Sequence, residues 1–184
     1  NFTTATNSVN TAVGYQAGAA VTTGRFNNLF GALAGDALTT GEKNVAIGVN
    51  ALGSDTTGGR TVAIGQGALT TQNHTDGTTT YNVAVGYESG AAVTTGTQNT
   101  LLGSLSGDAV TTGIQNVAVG MNSLGALTDA DYNVAVGAYA LDADTMGSQT
   151  TAIGYGALSA QNFTTATNSL NTAVGYLAGL SVTT

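Results

Sequence analysis

The sequence predicts an all-β fold, a parallel β-solenoid (β-roll) of about ten coils of 17 residues, and three observations predict it. A short unit, Asn44-Val45-Ala46-Ile47-Gly48, recurs in near-copies along the whole chain. Its glycine returns at Gly14, Gly31, Gly48, Gly65, Gly86, Gly103, Gly120, Gly137, Gly154 and Gly175, in steps of 17 except for two steps of 21. The residues before each glycine are β-branched or otherwise apolar, as a strand on a half-buried surface prefers. A fixed short period with a strand-like core marks coils that stack to bury what no single coil can bury.

Each position of the coil can be justified in turn. The corner glycine suits a backbone that approaches its neighbour closely or takes a positive φ. The residue before it is always large and apolar (Val13, Phe30, Ile47, Ile64, Val85, Leu102, Val119, Val136, Ile153, Val174), and alternation then places it inside. On that reading the residue two before the glycine points outward: Ala12, Leu29, Ala46, Ala63, Ala84, Leu101, Ala118, Ala135, Ala152 and Ala173. It is never polar, so it forms an apolar ribbon along the rod, expected to pack against sister chains. Four before the glycine stands asparagine, replaced by Thr61 and Thr150 in two coils, where stacked amides are expected to bond to one another from coil to coil. Three after it only alanine or serine occurs, a second tight position. Eight after it comes a threonine column, as in Thr39-Thr40-Gly41, which turn chemistry explains.

The coils also have a larger order. Gly14, Gly86 and Gly175 open Gly-Tyr-x-(Ala/Ser)-Gly coils, and Gly31 and Gly103 share Gly-x-Leu-x-Gly-Asp-Ala. The coils of Gly65 and Gly154 each carry four extra residues, after Gln72-Asn73 and Gln161-Asn162. Residues 1–184 therefore read as one array without a linker. Its opening segment, Asn1 to Asn10, repeats as Asn162 to Asn171 with one change, so the chain reads as a piece of a longer fibre.

Composition narrows the function classes. Only 7% of residues are charged, against roughly a quarter in a typical soluble chain. Three basic residues (Arg25, Lys43, Arg60) face ten acidic ones, for a net charge of −7, which leaves no basic cluster to neutralise a nucleic-acid backbone. No apolar run approaches the 18 or so residues of a membrane span. With one histidine and no cysteine, catalysis has almost nothing to use, and neither a cofactor nor a metal is expected. Asp129/Asp131 and Asp142/Asp144 are carboxylate pairs, but the Gly-Gly-x-Gly-x-Asp pattern that holds calcium in other β-rolls is missing. The lone His74 reads as a solvated loop residue, and sequons at Asn1, Asn73 and Asn162 carry little weight. Tyr15, Tyr87, Tyr155 and Tyr176 follow corner glycines and are expected to pack at the corner, with stacking on a sugar or receptor as the second reading. The long-coil loops are the candidate contact sites, His74, Asp76 and Tyr81 in one copy and Phe163 in the other, because extra residues in a solenoid map to loops on one face.

Asn44-Val45-Ala46-Ile47-Gly48, Asn116-Val117-Ala118-Val119-Gly120 and their relatives resemble the Ser-Val-Ala-Ile-Gly repeats of trimeric autotransporter adhesin heads, and are similar to repeats of marine bacteriophage tail fibres. The resemblance spans nearly the whole chain. It implies a left-handed β-roll assembled as a homotrimer, outside the cell on a virion or cell surface, and engaged in adhesion to a host receptor or polysaccharide. Adhesin heads usually have shorter coils, and the Thr-Thr-Gly spacer here is closer to the phage arrays. The expected function is thus a non-enzymatic shaft or head of an extracellular fibre presenting a receptor-binding tip, most directly a phage tail fibre. A bacterial surface adhesin is one alternative, and an ice-binding solenoid built on the threonine columns is another.

Overall fold

In a computed structural model, which describes residues 8–184, the chain is a parallel β-solenoid of about ten coils of about 17 residues. The main sheet stacks one three-residue strand per coil: β1 (Thr11–Val13), β2 (Asn28–Phe30), β3 (Val45–Ile47), β4 (Val62–Ile64), β5 (Val83–Val85), β6 (Thr100–Leu102), β7 (Val117–Val119), β8 (Val134–Val136), β10 (Thr151–Ile153) and β12 (Thr172–Val174). Pairing is parallel and equivalent residues face one another, as with Ala46 and Ala63 or Ala118 and Ala135. A small second sheet joins β9 (Gly147–Ser148) to β11 (Thr167–Asn168) at the second long coil.

The corner glycines form the column that the period predicts. A Cβ on Gly120 would lie 2.6 Å from the carbonyl carbon of Gly137, and Gly120 has φ +130°, so neither space nor backbone conformation admits a side chain there. Elsewhere the coil turns through left-handed positions that ordinary residues occupy, among them Asn50, Leu52 and Lys43. Their strain is offset by bonds to neighbouring coils, such as the Lys43 N–H donated to the Arg25 carbonyl.

The two faces of the main sheet are the reverse of the sequence expectation. Leu29, Ala46, Ala63, Ala84, Leu101, Ala118, Ala135 and Ala152 are fully buried within the single chain, so they are core and not an inter-chain ribbon. Ala12 is exposed and Ala173 half-buried, both in terminal strands of the sheet. The large residues before the glycines point out: Phe30 and Ile47 are each 39% exposed and Ile153 37%. In a three-residue strand the middle side chain stands alone on its face. The coil is too narrow for a large residue from both walls, so the inward position takes alanine while leucines reach in from across the coil. Those leucines are Leu52, Leu69, Leu124, Leu141 and Leu158, all buried. In the remaining coils the same position is glycine, and the space is filled instead by Leu29, Leu101 or, at Gly179, Leu158. A Cβ on Gly18 or Gly35 would sit 2.7 or 2.9 Å from a methyl of Leu29, and one on Gly90 or Gly107 2.7 Å from a methyl of Leu101.

Candidate functional site: the long-coil corner

The asparagine row gives the site its frame. The expected amide-to-amide ladder is mostly a side-chain-to-backbone ladder. Asn44 Oδ1 accepts from the Thr61 N–H at 3.0 Å, while Asn44 Nδ2 donates to the Gly58 carbonyl at 2.9 Å. Asn99, Asn116 and Asn133 repeat the pattern. One direct amide pair occurs, Asn116 Nδ2 to Asn99 Oδ1 at 3.2 Å.

Threonine at Thr61 cannot reach the carbonyl that an asparagine amide would satisfy, and the long coil supplies a substitute. Gln72 Nε2 donates to Asp55 Oδ2 (2.6 Å) and to Thr61 Oγ1 (3.1 Å), and Gln72 Oε1 accepts from Asn82 Nδ2 (2.8 Å). Asp55 Oδ1 accepts from the Gly58 and His74 N–H groups. All of these polar side chains are buried. The second long coil repeats the network with Asp144, Gln161, Asn171 and Thr150, and the Phe163 N–H bonds to Asp144 as that of His74 bonds to Asp55. Both insertions therefore leave the coil at the same corner. Sequence reasoning did not find this network, although its signal was present: the coils that lack the asparagine are the coils that carry glutamine seven residues after the corner glycine, Gln72 and Gln161.

The candidate residues fare differently. His74 is 5% exposed, so it is not a solvated loop residue; its Nε2 has no partner among the described residues, and Phe163 holds the equivalent place. A ring filling this slot accounts for both. Asp76 is exposed, and its carboxyl is held below the usual value chiefly by hydrogen bonding from the Thr78 hydroxyl and then the Thr78 N–H. Tyr81 is exposed, with the Arg60 guanidinium 5.7 Å from its ring centroid. Asp144 spends its carboxylate on Gly147, Phe163 and Gln161, and among the described residues no group of three or more His, Asp or Glu is placed to hold a metal. Tyr15, Tyr87, Tyr155 and Tyr176 stand out from the corner; Tyr155 stacks on Tyr176 at 5.6 Å and meets the edge of Tyr139 at 5.9 Å. The threonine column donates within the fold, as in Thr39 Oγ1 to the Thr56 carbonyl and Thr111 Oγ1 to the Thr128 carbonyl, which counts against an ice-ordering surface. The sequon at Asn1 lies outside the described residues.

Beside the first long coil lies a pocket of about 240 Å³, walled by Glu42, Lys43, Thr57, Arg60, Gly77 and Thr79. Arg60 Nη1 bonds to Thr79 Oγ1 at 3.2 Å, and Arg25 Nε pairs with Glu42 Oε1 at 3.0 Å. A second pocket of similar size lies on the loop's other side, against His74, Asp76 and Thr95. No protein-family model, curated protein or solved structure matches the chain significantly. The fold itself, a parallel β-solenoid, is consistent with a structural repeat protein. No helix among the described residues is long and apolar enough to cross a membrane.

Proposed function

We propose that the chain is a non-enzymatic, stiff segment of an extracellular homotrimeric fibre, most directly the shaft or head of a bacteriophage tail fibre that presents a receptor-binding tip. The observation that carries this reading is the outward face of the main sheet. The column next to the corner glycines is apolar in every coil, as with Ile47, Ile64, Val119 and Val136, and beside it valine (Val45, Val62, Val117, Val134) shares a second column with threonine and Asn28; these side chains are half-buried to exposed in the single chain. Ten strands about 4.8 Å apart, each presenting a width of roughly 13 Å from the first strand residue to the residue after the glycine, make an area of about 600 Å². Two such faces together bury about 1,200 Å², the lower edge of specific interfaces. The repeat resembles those of trimeric autotransporter heads as well, so a bacterial adhesin is the second reading; the Thr-Thr-Gly spacer favours the phage fibre.

The test is the mass of the particle by sedimentation, expected at three times the 18.0 kDa of one chain. Val119→Asp with Val136→Asp should give a folded monomer, whereas Ala118→Asp should unfold the chain, because it buries a carboxylate without a partner. A parent chain that stays monomeric at tens of micromolar would refute the assembly.

A further inference from the structure

We propose that the pocket between Lys43, Arg60 and the His74–Thr80 loop binds the carboxylate of an acidic sugar. The proposal deepens the fibre reading by naming the surface chemistry this segment would contact, and it rests on that reading only for the source of the sugar. On a chain of net charge −7, all three cations fall on successive coils at one corner: Arg25, then Lys43, then Arg60. The Lys43 N–H bonds to the Arg25 carbonyl and the Arg60 N–H to the Glu42 carbonyl in one register, so Lys43 and Arg60 stack in one column while Arg25 stacks on Glu42 in the column beside it. Arg25 neutralises Glu42, and it is the only cation with a carboxylate partner among the described residues. Lys43 and Arg60 thus face the pocket with uncompensated charge.

The scaffold does not require them. In the second block the same corner carries Asp131, Tyr132 and Gln149 where the first carries Glu42, Lys43 and Arg60, and Tyr132 and Gln149 take the same left-handed backbone. Two corners of one architecture therefore differ in charge, and the inserted loop beside the first closes a pocket against its cations. Arg60 is held in place by Thr79 and by the ring of Tyr81, and one bond through Nη1 leaves other donors of its planar fork free for a carboxylate. Glu42 adds an acceptor for a sugar hydroxyl. A pocket of about 240 Å³ is below the roughly 300–1,000 Å³ of drug-sized sites, which suits one sugar ring of a longer polymer.

The experiment titrates the whole chain with tetragalacturonate, maltotetraose and a κ-carrageenan tetrasaccharide, which is sulfated and carries no carboxylate, by calorimetry at low salt. Tetragalacturonate should bind and maltotetraose should not. Lys43→Gln and Arg60→Gln should each weaken tetragalacturonate at least tenfold, and the double variant should abolish its binding. Glutamine is the replacement of choice because Gln98, Gln115 and Gln149 already occupy this corner with positive φ, so the variants keep the fold. Absence of tetragalacturonate binding, equal binding of maltotetraose, or full binding by the double variant overturns the site. Sulfated tetrasaccharide binding as tightly as tetragalacturonate overturns the carboxylate assignment. Sedimentation of the same samples separates this result from the fibre reading, since the pocket lies within one chain and its occupancy is scored whether the particle is trimer or monomer.

Discussion

Removing one asparagine from the ladder tests how the coils are held together. Asn116 Oδ1 accepts from the Asn133 N–H at 3.0 Å, and its Nδ2 donates to the Ala130 carbonyl at 2.8 Å and to Asn99 Oδ1 at 3.2 Å. In Asn116→Ala the Asn99 oxygen keeps its bond from the Asn116 N–H, but the Asn133 N–H and the Ala130 carbonyl are left buried without partners. At about 1–3 kcal/mol for each orphaned group, the loss is about 2–6 kcal/mol. Threonine should not rescue it: Thr61 and Thr150 rely on Gln72 and Gln161, and the corresponding place in this coil holds Leu127. The control is Gln115→Ala, one residue away and exposed, expected within about 0.5 kcal/mol of the parent. Urea unfolding followed by circular dichroism gives the magnitude, and amide exchange at Asn133 gives the place, because a solenoid coil answers first to its nearest neighbours. A loss below about 0.5 kcal/mol with Asn133 still protected would refute the ladder as a source of stability.

Gly120→Ala should prevent folding, since its Cβ meets the next coil's backbone at 2.6 Å, whereas Gly77→Ala, at φ +79° with nothing within 4 Å, should cost only about 1 kcal/mol; similar melting temperatures for the two would contradict the corner assignment. The Asp108 carboxyl is raised above its ordinary value chiefly by burial, with a smaller push from the Glu88 charge, against hydrogen bonds from the Asp108 and Ala109 backbone that lower it. The folded state therefore holds this proton over a pH range where the unfolded chain has lost it, and stability falls as pH rises from the unfolded value through the folded one. Asp108→Asn should accordingly stabilise the protein at pH 7 and make no difference near pH 3; an equal gain at both would sink the account. Deleting Thr75 to Thr78 restores the 17-residue step and spares Asp55, Gln72 and Asn82, so the chain should fold with a loss of about 1–2 kcal/mol for the Gly59 N–H that Thr78 accepts. Loss of the circular dichroism signal would instead make the loop part of the core.

The period, the glycine column, the in-register strands and the small residues after each glycine were legible because each is a repeated steric demand, and repetition writes such a demand into the sequence many times over. The direction of the strands' side chains was not. Ile47 is large and Ala46 small, and size alone puts Ile47 inside; but the inward position tolerates no polar residue, while the outward one three before the glycine accepts Asn28, Thr100 and Thr151. Polarity tolerance was the better guide, because a narrow coil limits the volume of its core before it limits its hydrophobicity. His74 was misread for a related reason, its polar neighbours concealing a slot that Phe163 fills in the other copy. The pocket was illegible because Lys43, Arg60 and Gly77 meet only when coils of different length are stacked, and no single repeat contains them.

Core volume in this solenoid is balanced between coils as well as within them, and that balance fixes the order in which coil types follow one another. Leu29 fills space left by Gly35 of its own coil and by Gly18 of the coil before, and Leu101 does the same with Gly107 and Gly90. A Gly-Tyr coil therefore precedes each Leu coil, as at Gly14 before Gly31 and Gly86 before Gly103. Where the inward strand residue returns to alanine, as in the coils of Gly48, Gly65, Gly137 and Gly154, leucine reappears across the coil as Leu52, Leu69, Leu141 and Leu158. Asp55, Gln72, Asp144 and Gln161 then take the place that Leu38, Val93 and Val110 hold in the other coils, and the buried polar network forms there. The higher-order block seen in the sequence is thus a packing sequence: a coil with glycine in its far wall needs a neighbour whose leucine fills it, and a coil with threonine in the asparagine row needs the glutamine that a long coil supplies.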